Sequence, residues 1–193
     1  MTTNTVRIWD PFVRIFHWVL VGAFVVAYIS EDDYLDIHTT AGYTVLTLVA
    51  LRLVWGFVGS RHARFADFVR PPGEALSYVK DTFLGRARRY LGHNPAGGLM
   101  IIAMLASLLV TTFTGVALLG ADEHAGPLAG LMAGASHGLE EGLEEVHEFF
   151  ANFTVALVLG HLLGVLVESL FHRENLVRAM FTGNKPLRDG DSD

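Results

Sequence analysis

Four long apolar stretches alternate with polar connections along this chain. They run over residues 12–30, 38–58, 97–119 and 146–171. Each has roughly 19 residues or more, enough at about 1.5 Å per residue to cross a hydrocarbon core of about 30 Å. Asp10-Pro11 and Asn94-Pro95 precede the first and third stretches. A short polar cap followed by proline at the first helical position is a helix-start signal, because the proline removes an N–H that would have no partner there. The pattern predicts an all-α fold: an integral membrane four-helix bundle. The opening residues are largely polar, and no small-residue cleavage site follows the first apolar run, so that run is expected to be a retained span and not a signal peptide.

Charge gives the bundle a direction. Residues 59–96 carry Arg61, Arg64, Arg70, Lys80, Arg86, Arg88 and Arg89, and the termini add Arg7, Arg173, Arg178, Lys185 and Arg188. The connections 31–37 and 120–145 contain no lysine or arginine. The positive-inside rule then puts both termini and the middle connection in the cytoplasm, which an even number of spans satisfies. The opposite side is acidic, with Glu31, Asp32, Asp33 and Asp36 in one loop and Asp122, Glu123, Glu140, Glu141, Glu144 and Glu145 in the other. This is either a solvated loop with a helix extension or a field that steers a basic redox partner.

Residues 1–183 are expected to form one membrane domain and residues 184–193 a polar, disordered tail. Between the second and third spans, residues 74–90 place Leu76, Val79, Phe83 and Leu84 among basic residues, a pattern suited to a helix lying along the membrane surface. Composition agrees with a bilayer protein. Half of the chain is hydrophobic (51%) and only 18% is charged. With no cysteine, disulfides, thiolate metal sites, iron–sulfur clusters and covalently attached haem are excluded.

Nine histidines change the picture. Four of them, His17, His38, His147 and His161, fall inside or at the rim of the spans, where an ionisable group is costly and a functional candidate by default. A single such histidine is often a neutral ring bonded to a neighbouring helix. Four at matched depths form two pairs. His38 and His147 open their helices at the outer face. His161 lies fourteen residues beyond His147, about 21 Å along the axis and only about 40° from whole turns, level with His17 near the inner face. Two bis-imidazole sites for non-covalent b-type haem follow, with the four histidines as axial iron ligands.

Arg52 lies fourteen residues after His38, on the same stripe and at the inner height. An arginine in a span requires an anionic partner or snorkels to the interface, and a haem propionate would serve as the partner. Arg14 is expected to help at that level. Gly22, Gly42, Gly115, Gly160 and Gly164 would make room for flat cofactors, although the last two also form a small-xxx-small packing pair. His147-Glu148 lacks the second histidine of a zinc-protease motif, and two histidines per height without carboxylates or thiolates suit neither zinc nor di-iron. His62, His93, His124, His137 and His172 are expected at the surface, with His93 nearest the inner site.

Several of these stretches resemble one family. Arg14-Ile15-Phe16-His17-Trp18, His38 with Gly42-Tyr43, Arg52-Leu53-Val54-Trp55-Gly56, Gly59-Ser60-Arg61-His62-Ala63-Arg64-Phe65, His93-Asn94-Pro95 and the pair His147 and His161 are similar to the bacterial cytochrome b561 and nickel–iron hydrogenase b-subunit superfamily. The resemblance extends from Val6 to Phe181 and does not include the acidic loop 120–145. It implies a di-haem cytochrome b of the bacterial inner membrane that moves electrons between membrane quinone and a redox partner. That partner would be periplasmic, either a c-type cytochrome or a hydrogenase-like subunit. The remaining contacts would be with lipid, quinone and, in a homodimer, a second copy of the chain. Nothing suggests nucleic acid. Arg14, Arg52, His93 and Asn94 are the groups to examine for quinone. A stand-alone superoxide:quinone oxidoreductase and a non-redox membrane scaffold are the competing readings.

Overall fold

The computed structural model describes residues 5–30 and 34–188. A short strand β1 (Thr5–Arg7) leads into α1 (Pro11–Ile29), and α2 (Leu35–Val58) follows. A single 3-10 turn (Arg61–Ala63), a short α3 (Phe65–Phe68) and α4 (Pro72–Phe83) fill the middle connection before α5 (Pro95–Ala121). Then come α6 (Ala129–Met132), α7 (His137–Phe171), α8 (Leu176–Thr182) and β2 (Asn184–Pro186). Among the described residues, α1, α2, α5 and α7 are the four helices long and apolar enough to span a membrane.

Both proposed helix starts are capped. The Val13 N–H donates to Asp10 Oδ1 at 2.9 Å and the Gly97 N–H to Asn94 Oδ1 at 2.7 Å. Each bond satisfies an N–H that the helix itself leaves without a partner. The fourth helix begins at His137, well before the span expected from residue 146. The acidic segment 140–145 is therefore its solvated N-terminal extension, whose carboxylates sit favourably at the positive end of the helix dipole.

The chain divides into two compact units. One comprises Met1–Trp18, Leu51–Ala103 and Val158–Asp193. Its core gathers Ile8, Trp9, Val13, Ala63, Leu91 and Ala179. Here the structure departs from the sequence expectation of a disordered tail from residue 184. Asn184–Pro186 pairs antiparallel with Thr5–Arg7, setting Lys185 opposite Val6. Residues 184–186 are held in place because Lys185 and Arg89 both reach the buried Glu174 carboxylate, at 3.1 Å and 2.8 Å, while residues 189–193 of the expected tail lie outside the described residues. Arg89 also donates to the Pro186 carbonyl at 2.9 Å. Gly183 makes the turn between α8 and β2 at φ 82°, where a Cβ would stand 2.6 Å from the Trp9 carbonyl oxygen. Glycine alone fits both constraints.

In the same unit, α4 has three sides. At about 100° per residue, Ala75, Tyr78 and Thr82 share one face, and the first two are buried. Leu76, Val79 and Phe83 form a second stripe that is exposed, Leu76 by 72% and Phe83 by 88%. Glu74, Ser77 and Asp81 form a polar third side. The expected helix over 74–90 ends at Phe83; residues 86–90 are irregular.

The second unit comprises Val19–Ala50 and Met104–Leu157. Small polar residues bring α5 and α7 together there. Ser107 and Thr154 are buried and hydrogen-bonded to each other at 2.7 Å, while Ser107 also donates to the Phe150 carbonyl at 3.2 Å. Such short side chains permit close helix approach, and in lipid their hydroxyls find partners only within the protein.

Candidate haem-binding sites

Each unit holds one pair of imidazoles. In the second unit the ring centroids of His38 and His147 are 6.0 Å apart. In the first unit those of His17 and His161 are 6.4 Å apart. An imidazole nitrogen binds a metal at about 2 Å, so two rings holding one ion from opposite sides have centroids about 6 Å apart. Both pairs have that spacing. The structure thus brings His38 beside His147 and His17 beside His161.

The outer pair is also fixed in tautomer. His38 Nδ1 donates to the Ala27 carbonyl at 2.9 Å, near the C-terminal end of α1 where carbonyls lack helical partners. His147 Nδ1 donates to the Thr111 carbonyl at 2.8 Å. With Nδ1 carrying the proton, Nε2 keeps its lone pair for a metal. Phe24, Gly42, Tyr43, Thr112, Gly115 and Val116 line a mostly apolar cleft together with both rings, the kind of lining usual for cofactor sites. The two glycines act differently. A Cβ on Gly42 would meet nothing within 4 Å, whereas one on Gly115 would press the His147 ring at 2.8 Å. Gly42 leaves the cleft wide and Gly115 lets the ligand ring seat against α5.

At the inner pair, His17 packs edge-on against Trp18, and its Nδ1 is buried without a hydrogen-bond partner. Arg52 is only 3% exposed. Its Nη2 donates to the Ala63 carbonyl at 3.0 Å, while Nη1 is buried with no hydrogen bond. The guanidinium lies 5.4 Å from the Phe65 ring centre and 6.0 Å from that of Phe68. A fixed cation this buried calls for an anion, since the uncompensated charge costs several kcal/mol or more. No carboxylate forms an ion pair with it among the described residues; the Asp10 carboxylate, within electrostatic reach, is occupied by Val13, Trp55 Nε1 at 3.0 Å and Ser60 Oγ at 2.5 Å. Burial pushes the Asp10 carboxyl up, but these bonds outweigh it and hold it below its usual value.

The sequence motifs now have physical content. Trp55 and Ser60 grip Asp10, Ala63 supplies the carbonyl for Arg52, and Gly56 exists because a Cβ there would overlap the Phe65 ring. Arg14 has a second role. Its Nη2 bonds the Phe181 carbonyl, so part of its guanidinium is committed to α8, while Nε is buried without a partner. Gly160 and Gly22 do not crowd any neighbour below 3 Å.

Three of the histidines expected at the surface are not fully exposed. His93 sits between Trp9 and Phe68, at centroid distances of 4.5 Å and 4.9 Å. Burial, then the nearby Arg52, pushes its pKa down to about 3, keeping it neutral. His62 pairs with Asp67 at 3.1 Å, and His172 lies 3.4 Å from Glu168. Aromatic neighbours from distant stretches of the chain are what cover His93, a signal that residue type alone does not carry. His137 conforms, exposed beside Glu141 at 3.2 Å.

Four membrane-capable helices that bring imidazoles together in metal-spaced pairs define a multi-pass membrane protein suited to hold haem between its spans. Residues 8–183 match the family model of prokaryotic cytochrome b561, and the chain belongs to that family. Membership makes it a membrane cytochrome b, an electron-transfer protein with b-type haem. It is similar to a probable Ni/Fe-hydrogenase B-type cytochrome subunit of Rhizobium leguminosarum bv. viciae, with 25% identity over 96% of this chain and 91% of the relative. A protein of the same description from Azotobacter vinelandii is 28% identical over 65% of each chain. No solved structure matches the chain.

Proposed function

We propose that the protein conducts electrons through two b-type haems between membrane quinone and a periplasmic redox partner, as the cytochrome b subunit of a respiratory oxidoreductase in the bacterial inner membrane. His38 and His147 hold the outer haem, and His17 and His161 the inner one. The observation that carries this reading is the pair of ring separations, 6.0 Å and 6.4 Å, in two different units. When bound, each haem supplies a reversible one-electron iron couple. The chain's own residues do the rest. Two imidazoles per haem would occupy the iron's remaining positions, which would favour electron carriage over substrate binding. The Ala27 and Thr111 carbonyls orient the outer rings. Arg52, and Arg14 in the same unit, each with a buried guanidinium nitrogen that has no hydrogen bond, would offer the positive charge that an inner propionate requires.

The hydrogenase-subunit names of the two relatives support an assembly with a hydrogenase-like partner. The acidic start of α7, with Glu140, Glu141, Glu144 and Glu145, is the surface on which a basic periplasmic subunit or c-type cytochrome would be steered. The test is a pyridine haemochrome assay with a spectroelectrochemical titration of the purified protein. Two haems per folded chain are expected, and His161→Ala should lose one and keep the outer one. Loss of both, or of neither, overturns the pairing.

A further inference from the structure

The last turns of α7 carry polar groups that haem ligation leaves unused. Glu168 follows His161 by seven residues, about two helical turns or about 10 Å, and lies within about 20° of the same stripe. Gly164 stands between them on that side, and a Cβ there would meet nothing within 4 Å. His172 Nε2 lies 3.4 Å from Glu168 Oε2, one turn further on. From α4, the Tyr78 hydroxyl lies 3.1 Å and 3.0 Å from the two Glu168 oxygens. The same hydroxyl reaches the Arg88 carbonyl at 3.1 Å. Tyr78 in turn lines a cleft with Glu74, Asp81, Arg88 and Tyr90, on the face that the charge distribution assigns to the cytoplasm.

A carboxylate in the last turns of a span is costly and is retained for a reason. One possibility is a tether that docks α4. A tether needs only one acceptor for one hydroxyl, and an amide would serve. The observed arrangement is larger: a carboxylate met by a phenol at 3.0 Å, an imidazole 3.4 Å away, and a polar cleft beside that phenol leading towards water. We propose that Glu168, served by Tyr78 and His172, is the proton donor for quinone reduced at the inner site. This rests on the reading that the inner haem exchanges electrons with quinone. The balance is simple. Quinone takes two electrons, one at a time, as ferrous haem becomes ferric, and two protons, giving quinol. Each proton leaves the Glu168 carboxyl and is replaced from cytoplasmic water through His172 or the Tyr78 cleft. The charged and titratable groups around Glu168 are Tyr78 on α4, with Tyr90 at 5.6 Å from its ring, His172 just past the end of α7 and the Lys185 ammonium within electrostatic reach.

The experiment pre-reduces the full-length di-haem protein in vesicles and follows haem reoxidation by stopped flow, with a pH dye recording proton uptake. Decylubiquinone is one oxidant and ferricyanide, which takes electrons without protons, is the other. Glu168→Gln keeps an acceptor for Tyr78 and removes the acid. Reoxidation by decylubiquinone should slow by about 100-fold, the scale of one general acid, and proton uptake should slow with it. Glu168→Asp should restore part of both. The wild type and the Gln variant should share one haem content and one ferricyanide rate. An unchanged decylubiquinone rate overturns the proposal. Equal slowing with both oxidants also overturns it, because that outcome reports a structural role. A wild type that ferricyanide oxidises and decylubiquinone does not removes the quinone reading itself, and the relay with it.

Discussion

His147 and Gly115 are made for each other: the imidazole seats where a side chain on residue 115 would stand, 2.8 Å from its Cε1. Gly115→Val would push the ring off α5 and break its bond to the Thr111 carbonyl. The outer haem should be lost while the inner one stays. A redox titration that still resolves two components, with a full haem count, would contradict this.

Arg52 offers a second handle. Replacing it by glutamine removes a buried positive charge but keeps a donor for the Ala63 carbonyl. If Arg52 faces an inner propionate, the inner haem should become harder to reduce, since nearby net charge is one determinant of haem potential. The outer haem should not move. Spectroelectrochemistry of the variant reads both potentials in one experiment, and equal shifts in the two would remove Arg52 from the inner site.

The Glu174 cluster should make the first unit acid-sensitive. Burial raises the Glu174 pKa, but Arg89 and Lys185 outweigh it and hold it below its ordinary value of 4.5. A carboxylate with a lowered folded pKa contributes stability above its unfolded value and loses it as pH falls through the folded one. The thermal midpoint should therefore be flat from pH 7 to about 5 and fall below about 4.5. Glu174→Gln leaves two buried cations without their anion, at a cost of about 3–5 kcal/mol. It should also flatten the acid limb, which circular dichroism melts at several pH values would check.

The three sides of α4 predict its surroundings. The chain has no native cysteine, so single labelling sites are clean. An environment-sensitive fluorophore on Phe83→Cys should be blue-shifted and quenched by lipid-borne quenchers, and one on Ser77→Cys should not. Similar quenching at both positions would mean that α4 does not lie along the membrane surface.

Topology can be tested in the same way. Cysteines introduced over positions 122–141 should react with an impermeant reagent from the periplasmic side. Labelling only from the cytoplasm would reverse the orientation derived from the loop charges.

Much of this was readable in the sequence, for identifiable reasons. Span length, Asp10-Pro11 and Asn94-Pro95 are local signals, and the structure uses both caps. The histidine pairs were legible because helical rise converts sequence spacing into depth. The ordered tail was not, because it depends on Glu174, Arg89 and Lys185 meeting across distant stretches of chain. The burial of His93 was hidden for the same reason: its cover comes from Trp9 and Phe68. Arg14 was legible only in part: its position suggested the cofactor, but not that the Phe181 carbonyl takes part of its guanidinium.

The pairing of β1 with β2 also sets an order of events during synthesis. Every segment of the unit that contains His38 and His147 has left the ribosome by Leu157. Thr5–Arg7 has no strand to pair with until Asn184–Pro186 emerge, and His17 has no opposite ring until His161 does. The unit that holds His17 and His161 is therefore completed last, when Asn184–Pro186 emerge. A nascent protein can complete one compartment while the other is still waiting, and cofactor loading has a built-in order from the His38–His147 pair to the His17–His161 pair.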